Sequence, residues 1–370
     1  RQQQVTLDIF KATFADVLNS DSFSANLQAI KQALFERDFA KAFPGTDDDK
    51  KRLLAVYAAR YSPTRALCYA TLLASLHRQQ HLQGVISTVI DDDGEEEVAQ
   101  EETSKQLNLL CIGGGAAELV AFGSFLSQLR GGSSPLLSPD FSSDDNNDNT
   151  SPDSLSGSIT LLDSAAWGPV ISDLQHTLIT PPPISKFASA AAKEAHRPII
   201  PPPNFSATFM QQDVLSLDRD GLSNIITTTN KANPHAPLLV TLLFTLNELF
   251  TSGGIGKTTA FLLHLTAVIP LGSLLLVVDS PGSYSTTKVG SKKEKDDAAG
   301  GDAKRYPMQW LLDRIMLATA REPVKGRRWT KLEDNDSAWF RLAVGNTLTY
   351  PIPLEDMRYQ LHLYRADDAS

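Results

Sequence analysis

Residues 107–130 read LNLLCIGGGAAELVAFGSFLSQLR, and this stretch limits the fold more than any other. LNLLCIG (107–113) is a nearly continuous apolar run, as expected of a strand buried on both faces. Gly113, Gly114 and Gly115 make a turn, and AELVAFGSFLSQLR (117–130) then has helical spacing. A buried strand passing through a glycine turn into a helix opens a parallel α/β unit.

The alternation continues along the chain. SITLLD (158–163), ATFMQQD (207–213), the start of PLLVTLLFTLNELF (237–250) and SLLLVVD (273–279) read as strands. AAWGPVISDLQHTL (165–178), GKTTAFLLHLTAV (256–268) and YPMQWLLDRIMLATA (306–320) read as helices between and after them. MRYQLHLYR (357–365) alternates like an edge or antiparallel strand. The expected fold is α/β, a doubly wound, mostly parallel sheet. Before it, residues 5–42 predict two amphipathic helices broken near 19–24. Residues 50–79 are helical on both sides of Pro63, with Ser62-Pro63 expected to open a new helix. The expected division is a helical region over 1–104 and an α/β domain over 105–370.

A net charge of −9 argues against a nucleic-acid partner only at first sight. DDDGEEEVAQEE (91–102) carries eight acids and 131–157 carries five, neither with a base, so the remainder is net +4. Both stretches are polar, and they predict surface inserts, as does the Lys/Asp/Gly stretch at 285–305. Cys68 and Cys111 are the two cysteines, which excludes a disulfide scaffold, fits no metal spacing and suits a reducing compartment inside the cell. The apolar window 261–278 is divided by His264 and Pro270-Leu271-Gly272, so a buried helix and strand are expected rather than a membrane span. The chain begins at Arg1 rather than Met, as one with a removed leader would.

Two stretches carry candidate chemistry. SGGIGKTTAF (252–261) ends like a phosphate loop, yet Thr251 stands where G-x-x-x-x-G-K-[ST] needs its first Gly. An ATPase is one reading; a glycine turn admitting the chain to a helix, with Lys257 in its solvated first turn, is the other. The second candidate is the loop at 113–115. Gly113 and Gly115 allow a tight turn and close approach to a ligand. Asp163 ends the second strand of the series, where a carboxylate can accept two ribose hydroxyls. Asp213 ends the third, followed by apolar Val214, a pairing suited to an adenine amino group and ring. The fourth strand runs into polar TLNE (245–248), at the carboxyl edge where open α/β sheets bind ligands.

That order resembles the Rossmann-like class I S-adenosylmethionine-dependent methyltransferases. The wording of RYSPTRALCYATLL (60–73), LLCIGGGAAELVAF (109–122), TLNELF (245–250), DSAWFRL (336–342) and MRYQLHLYR (357–365) is similar to one branch, the fungal large-subunit (25S) rRNA uridine-N3 methyltransferases. The resemblance covers most of 50–370. It implies a seven-stranded sheet with an antiparallel last strand. It implies S-adenosylmethionine held by Gly113, Gly114, Gly115, Glu118, Asp163, Ser164, Asp213, Val214 and Thr245, and no metal. Cys111 stands where many such enzymes have an acid below the loop, so Glu118 or a backbone carbonyl would replace that contact.

The implied reaction is methyl transfer to uracil N3 during ribosome biogenesis. N3 lies on the pairing edge, so the base must be unpaired or flipped out. Glu248 is the candidate base and Asn247 the group that orients the ring; capping of the following turn is the alternative role for both. Arg60 and Arg65, and Arg327, Arg328 and Trp329 within KGRRWTK (325–331), are candidate contacts to phosphates and splayed bases. The expected partner is large-subunit rRNA or a pre-ribosomal particle, met by a monomer in the nucleus or nucleolus, with no membrane. A cofactor-binding scaffold without catalysis is a further alternative.

Overall fold

The computed structural model describes residues 2–36, 38–42, 48–90, 103–130, 155–190, 193, 196–282, 284–286, 305–342 and 348–369. The expected inserts at 91–102, and nearly all of those at 131–157 and 285–305, lie outside the described residues. The chain divides into two compact units. The first contains Arg1–Leu109, Gly114–Gln212 and Arg341–Met357; the second contains Leu110–Gly113, Asp213–Phe340 and Arg358–Ser370.

In the first unit, helices α1 (Gln2–Thr13), α2 (Ala15–Leu18), α3 (Phe23–Phe35) and α4 (Phe39–Ala42) lead to the long α5 (Asp48–Arg78). Strands β1 (Ile86–Ile90) and β2 (Thr103–Ile112) pair antiparallel, Ile86 opposite Leu107. After α6 (Ala116–Arg130) come β3 (Leu155–Asp163), α7 (Gly168–Ile179) and β4 (Phe205–Gln211), in the strand order β4-β3-β2. Strands β3 and β4 are parallel, with Asp163 opposite Gln211. Every residue of α6 from Ala116 to Leu126 is buried, the behaviour of a helix apolar all round.

Pro63 does not open a new helix; α5 runs straight through it. An interior proline lacks an N–H, so it leaves the carbonyl four residues back, that of Ala59, without its helical partner. The Tyr350 hydroxyl donates to that carbonyl at 2.7 Å. The missing bond is replaced from a residue 291 positions away, which no local pattern reveals.

In the second unit, the carboxyl end of β2 is followed by β5 (Leu239–Leu243), β6 (Leu274–Asp279), β10 (Met357–Asp368) and β9 (Arg327–Phe340), in the order β5-β6-β10-β9. Strands β5 and β6 are parallel, and β10 is antiparallel to β6, as expected of the last strand. Helices α8 (Arg219–Thr229), α9 (Ile255–Val268) and α10 (Met308–Met316) and a small hairpin of β7 (Tyr284–Thr286) and β8 (Arg305–Pro307) complete the unit. Among the described residues, eight strands make up the main mixed sheet, one more than expected, the addition being β1.

KGRRWTK is not a basic loop. It turns at Lys325 and Gly326, both at positive φ, and enters β9 at Arg327. Trp329 therefore faces inward: it is buried, its indole N–H donates to Thr266 Oγ1 and its backbone N–H to Thr319 Oγ1, both at 2.9 Å. A ring held this way cannot stack on RNA, which corrects its expected role.

Candidate active site

In the first unit, candidate residues gather where the glycine turn enters α6. Gly115 precedes the helix, and its N–H donates to Glu118 Oε2 at 2.8 Å. This is the return half of a capping box, with the N3 glutamate reaching back to the residue before the helix. Burial pushes the Glu118 carboxyl up, while the Gly115 N–H and the Arg65 charge pull the other way. Gly115 packs closely: a Cβ there would lie 3.1 Å from the indole of Trp167, so the ring would have to give by a few tenths of an ångström. Tyr57 meets that indole edge-on at 5.9 Å and accepts a 2.7 Å bond from Arg65 Nη1.

Arg65 thus lies on the inner side of α5, with Tyr57 and within the field of Glu118, and not on a phosphate-facing surface. Arg60 is committed as well, to an ion pair with Glu355 and to the ring of Tyr61 at 5.2 Å. Both arginines serve packing within the unit, because the helix that bears them is a core helix rather than a solvated arm.

Asp163 ends β3 as expected. Its Oδ1 accepts the Ala165 N–H at 2.7 Å and its backbone carbonyl accepts the Gln212 N–H at 2.9 Å. Ser164 beside it is exposed and accepts a bond from Gln211 Nε2 through its carbonyl. Gly114 is buried within the turn.

The second unit by itself holds a further group of candidate residues. Gly113 has φ +70°, a left-handed conformation glycine adopts freely. A Cβ on Gly113 would lie 2.3 Å from Thr245 Oγ1, so the end of β2 and the end of β5 touch through the absent side chain. Phe244, just before Thr245, has φ +57°, uncommon for a bulky residue and the kind of strain found where chemistry is placed. In place of the expected acid, Cys111 accepts a 3.2 Å bond from the Thr241 hydroxyl.

After Thr245 the chain makes a short turn of helix, Leu246–Glu248, and a π-type turn, Leu249–Gly253. Such turns recur at functional sites. The turn is pinned by Asp279 at the end of β6, whose Oδ2 accepts the Asn247 N–H at 2.9 Å while Oδ1 accepts the Ser280 N–H at 2.8 Å. Asn247 Oδ1 is buried with no hydrogen-bond partner among the described residues. Glu248 keeps an exposed surface, but crowding around its carboxyl raises its proton affinity, and the Asp279 charge raises it further. Asp213 caps a 3₁₀ turn by accepting the Leu215 N–H at 2.9 Å, and Val214 is buried behind it. That turn packs on the Asn247 turn: a Cβ on Gly253 would come within 2.0 Å of Leu215 Cδ1. The fold thus brings Gly113, Asp213, Val214, Thr245, Asn247 and Glu248 to one edge of this unit.

Two contributors were missed from sequence. Asp279 was legible only as the end of an apolar strand, and Trp167 only as part of a helix. Arg327 is engaged by the carbonyls of Ile269 and Lys325, whereas Arg328 is exposed. The GKTT stretch is the entry to α9: Lys257 is exposed, and Thr258 is buried with its hydroxyl donating to the carbonyls of Leu249 and Gly254. A hydroxyl spent on capping is not presented to a nucleotide-bound metal. No group of His, Cys, Asp and Glu suited to a metal ion occurs among the described residues. No described helix is long and apolar enough to cross a membrane.

Comparison with known proteins agrees with this geometry. A family model described as a putative SAM-dependent methyltransferase matches residues 10–365. The 25S rRNA (uridine(2843)-N(3))-methyltransferase of Saccharomyces cerevisiae is 31% identical over 376 residues, 98% of this chain and 85% of that protein. Solved methyltransferases match more distantly. The magnesium protoporphyrin IX methyltransferase of Synechocystis PCC 6803, with bound SAM, is 9% identical over 94% of this chain and 97% of its own, with a TM-score of 0.33. The 16S rRNA (adenine(1408)-N(1))-methyltransferase of Catenulisporales acidiphilia is 12% identical over 70% and 87%, with a TM-score of 0.30. With the family model spanning nearly the whole chain and the glycine turn, strand-end acids and reversed last strand in place, the chain belongs to the S-adenosylmethionine-dependent methyltransferase family.

Proposed function

We propose that this protein methylates N3 of a uridine in large-subunit rRNA, in the nucleus or nucleolus, with the helical region over 1–104 supporting the catalytic domain over 105–370. The observation that carries the reading is the unsatisfied carbonyl oxygen of Asn247, buried on a turn whose backbone is pinned by Asp279. A buried acceptor without a donor is costly, by about 1–3 kcal/mol, and so marks a place where a ligand donor belongs. The one ring donor of uracil on its pairing edge is N3–H. The S. cerevisiae relative, which the chain matches over nearly its full length, is named for that atom.

The residues fit the cofactor. Gly113 leaves an open backbone at the end of β2, where any larger residue would strike Thr245. Asp163 and Ser164 are assigned to the ribose, Asp213 and Val214 to the adenine, and Gly113 to Gly115 with Thr245 to the methionine portion. Glu118 braces the loop through Gly115. The bound cofactor supplies an electrophilic methyl carbon on a sulfonium.

Asn247 holds the incoming base by accepting from N3–H; Glu248 then takes that proton, and the N3 anion so formed attacks the methyl carbon as the S–C bond breaks and S-adenosylhomocysteine leaves. A carboxylate with raised proton affinity is better matched to that role near neutral pH than an ordinary one. Arg328 is the retained candidate for a phosphate contact.

The test is transfer from methyl-labelled S-adenosylmethionine to deproteinised 25S rRNA and to pre-ribosomal particles, with nucleosides identified by mass spectrometry. Labelled 3-methyluridine is the expected product. Cofactor binding without transfer to either substrate would point to a scaffold, and label at another atom would remove the N3 assignment.

A further inference from the structure

Helix α10 buries Met308, Leu311, Leu312 and Met316 as its apolar stripe. Trp310 lies off that stripe and is 45% exposed, so the helix places its largest side chain toward solvent. The ring of Tyr306 stacks on it, centroids 5.0 Å apart and planes 15° from parallel. One turn along, the Arg314 guanidinium carbon lies 5.4 Å from the Trp310 centroid. Among the described residues, no carboxylate pairs with Arg314. The three side chains make a layered group of two aromatic planes and one cation.

Its position gives it meaning. Tyr306 pairs with Ser285 across the β7–β8 hairpin, and β7 packs against the turn Leu249–Gly253, which directly follows Asn247 and Glu248. One hairpin therefore links the layered group to the candidate catalytic turn. A uridine modified at N3 has left its stack, and its neighbours in the strand have each lost a stacking partner. Aromatic and guanidinium planes replace that partner for any base, and the cation offsets backbone charge.

We propose that Tyr306, Trp310 and Arg314 form a stacking platform for an unpaired base flanking the target uridine; the inference rests on the rRNA reading above. A protein partner could also use an exposed Trp, Tyr and Arg. The exposed Arg314 charge and the link to the candidate catalytic turn favour RNA.

The test measures affinity of the full-length protein for a fluorescein-labelled oligouridine strand by anisotropy, with S-adenosylmethionine affinity measured by calorimetry on the same samples. Trp310→Ala is expected to weaken oligouridine binding by about 5- to 150-fold and leave cofactor affinity unchanged, while Trp310→Phe retains most of it. Arg314→Ala should weaken binding and flatten its salt dependence. Unchanged oligouridine affinity in Trp310→Ala overturns the platform. Should that variant lose cofactor binding through misfolding, unchanged affinity and salt slope in Arg314→Ala overturn it instead. Loss of binding to pre-ribosomal particles with oligouridine affinity intact overturns it in favour of a protein contact. Formation of 3-methyluridine by wild type, with oligouridine affinity unchanged in Trp310→Ala, removes the platform alone. Trp310-dependent RNA binding without transfer removes the enzymatic reading and leaves the platform.

Discussion

Gly113→Ala is the substitution whose cost follows most directly from geometry. Two penalties act together. The residue sits at φ +70°, and a side chain held in that region costs about 1–2 kcal/mol. The new Cβ would also lie 2.3 Å from Thr245 Oγ1 and 2.4 Å from its Cγ2, so Thr245 must rotate or the end of β5 must retreat. Overpacking of that kind costs about 1–3 kcal/mol. The joint loss, about 2–5 kcal/mol, is a large share of the roughly 5–15 kcal/mol that holds a domain folded. The penalties separate in a double-mutant cycle, since Thr245→Gly removes the obstacle but not the backbone strain. In that background Gly113→Ala should recover about 1–3 kcal/mol, read from urea unfolding of the four proteins. A Gly113→Ala protein within about 0.5 kcal/mol of wild type would refute the reasoning, as would equal costs with and without Thr245.

Three further expectations are independent of that cycle. Tyr350→Phe leaves the buried Ala59 carbonyl unpaired and should cost about 1–3 kcal/mol in thermal or urea unfolding; Pro63→Ala, which restores a backbone N–H there, should make the same substitution nearly harmless. Glu248→Gln should slow transfer by about 10²–10⁴-fold. Because crowding first and Asp279 second raise the Glu248 proton affinity, the wild-type rate should fall on acidification at a pH above the ordinary carboxylate range. The sign for stability is opposite: a raised folded-state pKa gives a contribution present at low pH and lost as pH rises through it, so Glu248→Gln should not lower, and should tend to raise, the neutral-pH unfolding temperature. A flat acid limb would exclude Glu248 as the base. Asp163→Ala should weaken S-adenosylmethionine by about 10- to 150-fold in calorimetry, the loss of charge-assisted bonds to ribose, and an unchanged affinity would remove Asp163 from the site.

The parallel strands were legible because burial on both faces writes them as continuous apolar runs; all six residues of β6 are buried. Strand β9 was not, because it lies at the end of the strand order and is largely solvated, so RRWTKLEDNDSAWF reads as a charged segment. Trp329 was misread for the same reason, its neighbours being basic while its own side chain reaches Thr266, 63 positions earlier. Glycines and strand-end acids of the site were visible because their chemistry is tied to position along the strand. What Arg60 and Arg65 do was hidden, since a helical arginine facing a distant carboxylate or phenol looks the same in sequence as one facing water. Asp279 was hidden similarly: a strand-end acid is apparent, but the backbone N–H of Asn247 that it holds is a tertiary fact.

The bond from Tyr350 to Ala59 also sets an order in time. It is joined by mutual bonds between Gln4 and Thr349, at 2.8 and 3.0 Å, and by the pair of Arg60 with Glu355. All of these tie the opening helices to a short segment near the far end of the chain. Translation proceeds at about 5–20 residues per second, so Ala59 is incorporated about 15–60 s before Tyr350. Over that interval α5 carries a gap that only water can fill, and its neighbours lack their last clasp. Nascent chains halted before residue 349 should expose the opening helices to protease, and chains released from the ribosome with residues 349–355 present should protect them. Helices synthesised early are thus among the last elements of this unit to be finished.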